Sequence, residues 1–394
     1  MRIGISCYPT FGGSGVVATE LAMALAAGGD EVHVISYALP SRLSLLAPSL
    51  FFHEVVVPHY PLFEYPPYSL ALASKMAEVA RHQQLDLMHV HYAVPNAISA
   101  VLAKQILAPQ KLAVVTTLHG TDITLVGNDP SYLETTRFGL RMSDAVTAVS
   151  SSLREATVEQ LGLEASRIEV IPNFIDPLRF EEVRGSAGAR RWAKPGEKIL
   201  IHISNFRPVK RIMDVLDIFF EVRKALPARL LLVGDGPDRA RAEERCRRGG
   251  NCGAVTFLGT IAAVEEVLVG ADLFLLPSES ESFGLAALEA LSCAVPVVAS
   301  TAGGIPEVVR EGIDGLLFPV GDVAAMGAGA LALLTDPARH ARFAAAARTG
   351  AVERFAQDKI VGQYRALYER VLARMAPAQA QATAAPAIAR EAAS

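Results

Sequence analysis

Short apolar runs alternate with longer segments of helical periodicity along almost the whole chain. The runs are rich in Val, Ile and Leu and are apolar at successive positions, not only at every second one. Strands of this kind are typical of parallel sheets that have helices packed on both faces. The pattern therefore predicts an α/β protein in which crossover helices connect parallel strands.

The predicted strands fall into two sets, which we assign to two Rossmann-like domains. The first set is Arg2–Ser6, Glu31–Ser36, Glu54–Val57, Leu87–His91, Leu112–His119, Ala145–Val149 and Ile168–Ile171. The second set is Ile199–Ser204, Arg229–Val233, Val255–Leu258, Asp272–Leu276, Pro296–Ala299 and Leu316–Phe318. The length of 394 residues supports the division, because a single hydrophobic core stops growing at roughly 250 to 300 residues.

Four segments follow from this organisation. We predict a first domain over residues 1–172, a second domain over 173–357, a helix over 358–375 that returns to the first domain, and a disordered Ala- and Pro-rich tail over 376–394. Parallel sheets bind ligands at the carboxyl ends of their strands. Functional residues are therefore expected directly after strands, on both sides of a cleft between the domains.

Composition and charge exclude several classes of function. With 51% hydrophobic and 20% charged residues the chain can bury a large core, and its net charge of −4 offers no general attraction for nucleic acid. No stretch reaches the ~20 apolar residues that span a bilayer, and the N-terminal run predicts a strand, not a signal peptide. The four cysteines form no CxxC pair, which favours free thiols in the cytoplasm. We expect no nucleic-acid or membrane partner and leave self-association open.

A glycine-rich loop follows the first predicted strand. Its residues Gly12, Gly13, Ser14 and Gly15 precede a helix expected from about Val16. Glycine allows a ligand to approach the backbone, and the N-terminus of a helix attracts anions. Many α/β domains have glycine here only to turn the chain, so the loop alone is a weak signal. It also lacks the GxGxxG spacing of an NAD site.

Three cations follow the first strand of the second domain. Arg207, Lys210 and Arg211 lie just after Asn205, at the predicted strand end. Guanidinium groups can engage two phosphate oxygens at once. The position predicts a pyrophosphate site and favours it over a solvated cluster of charges.

Two glutamates lie on either side of a predicted helix start in the second domain. Glu281 belongs to a polar loop after a strand, and Glu289 lies in an apolar helical segment. Backbone N–H groups of Phe283, Gly284 and Leu285 would face a phosphate at the helix N-terminus. Glu281 is suited to a sugar hydroxyl and Glu289 to a ribose. The alternative of a merely solvated Glu289 is weakened, because an unpaired carboxylate in an apolar helix is costly.

This Glu-x7-Glu pair resembles the hallmark of the retaining GT-B glycosyltransferases of family four. It is preceded by Pro277-Ser278 and followed by the glycine loop Gly303–Glu307, and the resemblance extends over roughly residues 1 to 375. The resemblance implies the GT-B fold, in which two Rossmann-like domains face each other across a cleft. It also implies a hexosyltransferase that moves a sugar from a nucleotide diphosphate with retention of configuration.

Further stretches are similar to the members of that family that serve bacillithiol biosynthesis. They are Cys7–Pro9, Tyr65–Tyr68, His89–Ala93, Thr116–Asp122 and Ser204–Arg207. The similarity implies UDP-N-acetylglucosamine as donor substrate, L-malate as acceptor and no cofactor.

The same resemblance implies roles for individual residues. Arg207 and Lys210 would hold the diphosphate, Glu281 a hydroxyl of the donor sugar and Glu289 the uridine ribose. His119 would contact the donor sugar from the opposite domain. The remaining residues assigned to the donor are Gly13, Ser14, Gly15, Asn205, Phe283, Gly284 and Leu285.

Tyr92, Thr117 and Arg137 are our candidates for the acceptor side. Thr117 shares a strand face with His119, and Tyr92 and Arg137 offer a hydroxyl and a cation that suit carboxylates.

A metal site is not expected. His89 and His91 alternate on one strand face but lack an evident third ligand, so packing and hydrogen bonding are favoured over a metal pair. The chain contains no Asp-x-Asp, the usual carboxylate pair for Mg²⁺ or Mn²⁺ in nucleotide-sugar enzymes.

Other functions stay open at this point. A family member with a different small acceptor would share these motifs. A UDP-N-acetylglucosamine 2-epimerase of the GT-B fold would convert the donor alone, and a nucleotide-sugar sensor would bind it without turnover.

Overall fold

Two separate parallel sheets form the framework of the chain. The computed structural model describes residues 1–10, 12–124, 126–127, 129–250 and 252–375, so the predicted disordered tail lies outside the described residues. Strands β1 to β7 are Arg2–Ser6, Glu31–Ser36, Leu50–Glu54, Leu87–His91, Ala113–Leu118, Ala145–Ala148 and Ile168–Val170. Strands β8 to β13 are Lys198–Ile203, Ala228–Val233, Val255–Gly259, Leu273–Leu276, Val297–Ser300 and Gly315–Phe318.

Helices connect the strands and cover the sheets. Helices α1 to α6 are Gly13–Ala27, Tyr68–Gln83, Ile98–Leu107, Thr121–Thr124, Leu133–Met142 and Ser151–Leu161. Helices α7 to α15 are Pro177–Glu182, Ile212–Ala225, Arg239–Arg248, Glu265–Leu268, Leu285–Ser292, Ile305–Val308, Val323–Thr335, Pro337–Phe355 and Gln357–Met375. Within the described ranges, none of these helices has the length and apolar character needed to cross a bilayer.

The order of the strands places the cleft. The first sheet has the order β3-β2-β1-β4-β5-β6-β7 and the second the order β10-β9-β8-β11-β12-β13. In the first sheet the strand order reverses between β1 and β4, and in the second sheet it reverses between β8 and β11. Ligands bind at such switch points, at the carboxyl ends of the strands. The loops after β1, β4, β8 and β11 carry most of the motifs that the sequence singled out.

The C-terminal helix joins the core of the first domain. Helix α15 buries Tyr364, Leu367 and Tyr368 in a hydrophobic cluster that also contains Ile3 and Leu21. The chain passes from the first domain to the second near Ile175 and returns to the first near Gln357. These two connections lie side by side, since the N–H of Gln357 donates to the carbonyl of Ile175 at 2.9 Å. The predicted GT-B architecture, with a final helix on the first domain, is confirmed.

One predicted strand is misplaced. The other predicted strands agree with the structure to within one residue at each end, but the third is Leu50–Glu54 and not Glu54–Val57. It is an edge strand whose register pairs Val32 with Leu50 and Ser36 with Glu54. The apolar run beyond it is only partly buried, with Val56 exposed. Apolar character therefore misled the prediction, since pairing with β2 decides where an edge strand lies.

Candidate active site

A cavity of about 400 Å³ lies between the two domains, where the loops after β1, β8 and β11 meet. This volume is in the usual range for small-molecule sites. The cavity brings together six of the residues that the sequence assigned to the donor and to catalysis. They are Gly13, Asn205, Lys210, Glu281, Leu285 and Glu289.

The rim of the cavity combines opposite charges. Lys210 ends a short 3₁₀ turn after β8, and its Nζ lies 2.5 Å from Oε1 of Glu281. The hydroxyl of Ser278 donates to the same oxygen at 3.1 Å. Arg207 is exposed and makes no ion pair with the described residues. The rim thus holds Lys210, a cation already paired with a carboxylate. Arg207 lies outside the lining of the cavity, but no described carboxylate pairs with its charge.

Arg211 does not join the other two cations. Its backbone has a positive φ of 51°, which turns the chain into α8. Its guanidinium lies 2.7 Å from Asp214 and 3.7 Å from Glu279. These carboxylates offset its charge, so the expected three-cation pyrophosphate site is reduced to Arg207 and Lys210.

The floor of the cavity is a buried group of carboxylates and arginines. Glu289 is 7% exposed, and its Oε1 lies 3.7 Å from Nη2 of Arg42. Burial raises the pKa of Glu289 to about 7; Arg42 and Arg179 oppose this shift, whereas Glu20 and Glu265 add to it. The three carboxylates outnumber the two guanidinium groups. Glu289 can therefore exchange a proton near neutral pH.

Arg42 is a cavity residue that the motifs did not identify. It belongs to the long loop after β2, yet it reaches the second domain and donates from Nη2 to the carbonyl of Ala262 at 2.8 Å. Its Nη1 donates to Glu20 at 3.1 Å. The available signal was an isolated arginine in a segment with few cations, which is weak evidence without the fold.

The glycines of the loop after β1 have two different roles, since some line the cavity and one is needed for close packing. Helix α1 begins at Gly13, earlier than predicted, and Gly12 and Gly13 line the cavity. Gly15 does not; a Cβ there would lie 2.6 Å from the carbonyl oxygens of Tyr8 and Thr10, so glycine is required for close packing. Ser14 also lies outside the cavity lining.

The N-terminus of α11 lies at the cavity as the sequence predicted. Gly284 precedes the helix with a φ of 95°, a conformation that favours glycine. Leu285 lines the cavity. The side chain of Phe283 is buried and packs edge-to-face on Phe355 at 5.6 Å, so only its backbone could serve a ligand.

The first domain brings His119 to the opposite side of the cleft. His119 follows β5 and is partly buried, and its Nε2 lies 3.0 Å from Nδ1 of His91. Burial lowers the pKa of His119 to about 3. The next residue, Gly120, lies so close to Ser282 that no side chain would fit between the two domains. His119 lies outside the lining of the 400 Å³ cavity itself.

Asp122 positions the loop that carries His119. Its carboxylate accepts hydrogen bonds from the backbone N–H groups of Ala93 at 2.9 Å, Gly120 at 2.7 Å and His119 at 3.1 Å. It therefore ties the loop after β4 to the loop after β5. Burial raises its pKa to about 6, which these N–H groups partly oppose. In the sequence analysis Asp122 is only the last residue of the family-like stretch Thr116–Asp122, and no role is assigned to it.

The structure keeps Tyr92 at the cleft but removes Thr117 from it. Tyr92 has a φ of 82°, and its hydroxyl lies 2.7 Å from that of Thr121. Thr117 is fully buried, and its hydroxyl bonds His89 at 2.7 Å and Thr147 at 2.6 Å. Thr117 does lie on the face of β5 that points to His89, but that face is covered by α15. Thr117 is therefore not placed to contact an acceptor.

Arg137 is also committed elsewhere. Its Nε donates to the carbonyl of Leu161 at 3.1 Å and its Nη1 to Glu134 at 2.9 Å. Leu161 is the last residue of α6, so Arg137 caps the carboxyl end of that helix. The packing of α5 against α6 therefore determines the partners of Arg137, and its charge is not directed to an acceptor.

The histidines of β4 are packed, not arranged around an ion. The rings of His89 and His91 lie 4.3 Å apart. Among the described residues no group of three His, Cys, Asp or Glu side chains is arranged to hold a metal ion.

Comparisons with known proteins identify the family of this chain. A model described as Glycosyltransferase Family 4 matches residues 11–179, and one described as Glycosyl transferases group 1 matches residues 189–350. N-acetyl-alpha-D-glucosaminyl L-malate synthase of Bacillus anthracis is 48% identical over 94% of this chain and 97% of its own length. The chain belongs to glycosyltransferase family 4.

Solved structures of other glycosyltransferases share the fold. Sucrose-phosphate synthase of Thermosynechococcus elongatus superposes with a TM-score of 0.77 at 22% identity, covering 95% of this chain and 100% of that one. HepE of Anabaena, solved in complex with UDP and glucose, has a TM-score of 0.77 at 21% identity, with 94% and 99% covered. At these identities the likeness shows the fold alone.

Proposed function

We propose that this glycosyltransferase transfers N-acetylglucosamine from UDP-N-acetylglucosamine to the hydroxyl group of L-malate, with retention, in the first step of bacillithiol biosynthesis. The 48% identity with the malate synthase, over nearly the full length of both chains, carries the proposal. The cavity between the domains supports it independently, since two cations, Arg42 and Lys210, and two glutamates, Glu281 and Glu289, line one volume.

The donor would span the cavity from floor to rim. Glu289 can accept hydrogen bonds from the ribose hydroxyls, and the N-terminus of α11 can face the diphosphate. Arg207 and Lys210 would receive the charge that develops on UDP as the glycosidic bond breaks, a contribution of ~3 to 4 kcal/mol for a well-placed donor. Glu281, which accepts a hydrogen bond from Lys210, would bind a hydroxyl of the sugar.

The chemical step requires no protein nucleophile. The sugar would leave as an oxocarbenium-like species, and the malate hydroxyl would attack from the face on which UDP departs. The proton of that hydroxyl would pass to the departing phosphate oxygen. Isolation of a glycosyl adduct on Glu281 would contradict this mechanism.

The reaction is proposed to need neither metal nor cofactor. Arg207 and Lys210 would supply the diphosphate with positive charge that other nucleotide-sugar enzymes take from a divalent cation. We also place the reaction in the cytoplasm, in keeping with the free thiols of Cys7 and Cys293.

The acceptor side now rests on fewer residues. Tyr92 remains at the cleft, and Arg207 is near enough for its charge to oppose the rise in the Tyr92 pKa that burial causes. A phenol beside a cation suits the carboxylates of malate. Dimethyl malate should therefore be a poor acceptor, and equal rates for malate and its diester would remove the carboxylate-binding role.

Mass spectrometry of the products tests the whole proposal. The protein is incubated with a panel of UDP-sugars and small hydroxy acids, and with UDP-N-acetylglucosamine alone. N-acetylglucosaminyl malate should be the main product, and the donor should be unchanged without an acceptor. UDP-N-acetylmannosamine in the donor-only reaction would identify an epimerase, and binding without any product would identify a sensor.

A further inference from the structure

Three histidines form a column beneath the cleft in the first domain. The ring of His91 lies between those of His89, 4.3 Å away, and His119, 5.2 Å away. His91 is fully buried. Its Nδ1 bonds Nε2 of His119, whereas its Nε2 has no hydrogen-bond partner among the described residues.

These contacts distinguish two arrangements of the protons. A bond between two neutral imidazoles needs one N–H and one bare nitrogen. If Nε2 of His119 were the donor, the proton of His91 would sit on Nε2, as a buried N–H with no acceptor among the described residues. If Nδ1 of His91 is the donor, the unpartnered atom is a bare nitrogen. Orphaned buried N–H groups are the rarer case in proteins, so the second arrangement is favoured.

Both rings are neutral in this setting. Burial lowers the pKa of His119 to about 3 and that of His91 well below its ordinary value. In the favoured arrangement the single proton of His119 is on Nδ1. No described residue bonds that atom, so it is left for a ligand in the cleft.

We propose that His91 is a positioning residue that holds His119 as the neutral Nδ1–H tautomer, so that His119 donates a hydrogen bond to the bound donor substrate instead of accepting its proton. The identity of that substrate rests on the proposed function, but the tautomer does not. The assignment excludes His119 as a general base for the acceptor, because its Nδ1 already carries a proton and its Nε2 bonds His91.

Nuclear magnetic resonance of the ¹⁵N-histidine-labelled protein measures the tautomer directly. Protonated and bare ring nitrogens have well-separated shifts, and long-range ¹H–¹⁵N correlations connect each pair to its ring. Signals are assigned by their loss in His119→Ala and His91→Phe. We expect protonated Nδ1 and bare Nε2 for both rings at neutral pH. A protonated Nε2 on His119 would overturn the proposal, whether or not the protein uses malate.

Kinetics then test whether the tautomer matters. His91→Phe keeps a ring in the column but removes the donor, and should lower kcat/KM for the donor substrate about tenfold, as expected for one misplaced neutral hydrogen bond. In a His119→Ala background the same change should have almost no further effect, because His91 acts through His119. Additive losses would indicate a merely structural role. His33→Phe, a matched buried histidine of β2 that stacks on Phe51, should leave activity unchanged.

Discussion

Glu281 and Glu289 lie close together on one segment and line one cavity, yet their surroundings differ. Glu281 is on the rim, with Nζ of Lys210 at 2.5 Å and a hydrogen bond from Ser278. Glu289 is buried on the floor, where its nearest guanidinium atom, on Arg42, is 3.7 Å away. The rim carboxylate makes a direct ion pair, whereas burial raises the pKa of the floor carboxylate to about 7.

This difference separates two kinds of substrate contact. An ion pair fixes the position of the Glu281 carboxylate before the reaction begins, and such preorganisation suits a group that acts in the transition state. A carboxylate that titrates near neutral pH makes binding depend on pH. We therefore expect rim changes to reduce turnover and floor changes to alter donor affinity.

Loss of charge on the rim should have the largest effect. Lys210→Gln should lower kcat by about 100-fold with the fold intact, because it removes a donor aimed at the developing charge of UDP. Arg211→Gln is the matched control and should stay within about twofold, since Asp214 and Glu279 already offset that charge. Steady-state kinetics with circular dichroism make the comparison. Equal losses in both variants would show that the rim acts by general electrostatics and not by a specific contact.

The role of Glu289 on the cavity floor should appear as a pH dependence of donor affinity. An ionised Glu289 can accept hydrogen bonds from the ribose hydroxyls with both carboxylate oxygens, so donor affinity should fall as pH drops below about 7, by up to tenfold per unit. Calorimetry with UDP-N-acetylglucosamine is suitable, because its diphosphate has no ionisation near neutral pH. Glu289→Gln should bind more weakly at high pH and lose the dependence. An unaltered pH profile in that variant would remove Glu289 from the donor site.

The same pKa shift has a consequence for stability, and its sign is opposite to that of a salt-bridged carboxylate. The folded pKa of about 7 exceeds the ordinary glutamate pKa of 4.5, so the folded state binds the proton more tightly. The free energy of unfolding should therefore fall as pH rises between these two values. The floor carboxylate is retained at a cost to stability, in keeping with a role in binding.

Arg42 allows a finer test of the floor. Its charge opposes the raised pKa of Glu289, so Arg42→Gln should move the midpoint of the donor-affinity profile to higher pH, by up to about one unit. The amide can still donate to the carbonyl of Ala262. Arg81→Gln, an exposed cation of α2, is the control and should leave the midpoint unchanged. A midpoint that does not move in Arg42→Gln would show that the floor charge is set by Arg179 alone.

The smallest expected effect is that of metal removal. Initial rates of UDP release should be the same with excess EDTA and with added Mg²⁺ or Mn²⁺, because Arg207 and Lys210 supply the positive charge. Activity that disappears in EDTA and returns with a metal would mean that the charges of Arg207 and Lys210 do not suffice.

The sequence determined the features that depend on local pattern. Apolar runs located nearly all the strands, because buried parallel strands are apolar on both faces. Motifs placed directly after strands predicted Lys210, Glu281 and Glu289 in one cavity, since carboxyl ends of parallel strands share one edge of a sheet. The exception, β3, is an edge strand, where local pattern is least informative.

Only the tertiary structure decided the partners of long or buried side chains. Arg42 and Asp122 entered the site, and Thr117, Arg137 and Arg211 left it. Each outcome depends on which groups of other elements come within a few ångströms. Arg42, for example, bonds Ala262, which lies 220 positions away. These side-chain partners are determined by packing between distant elements and cannot be read from residue type and spacing along the chain.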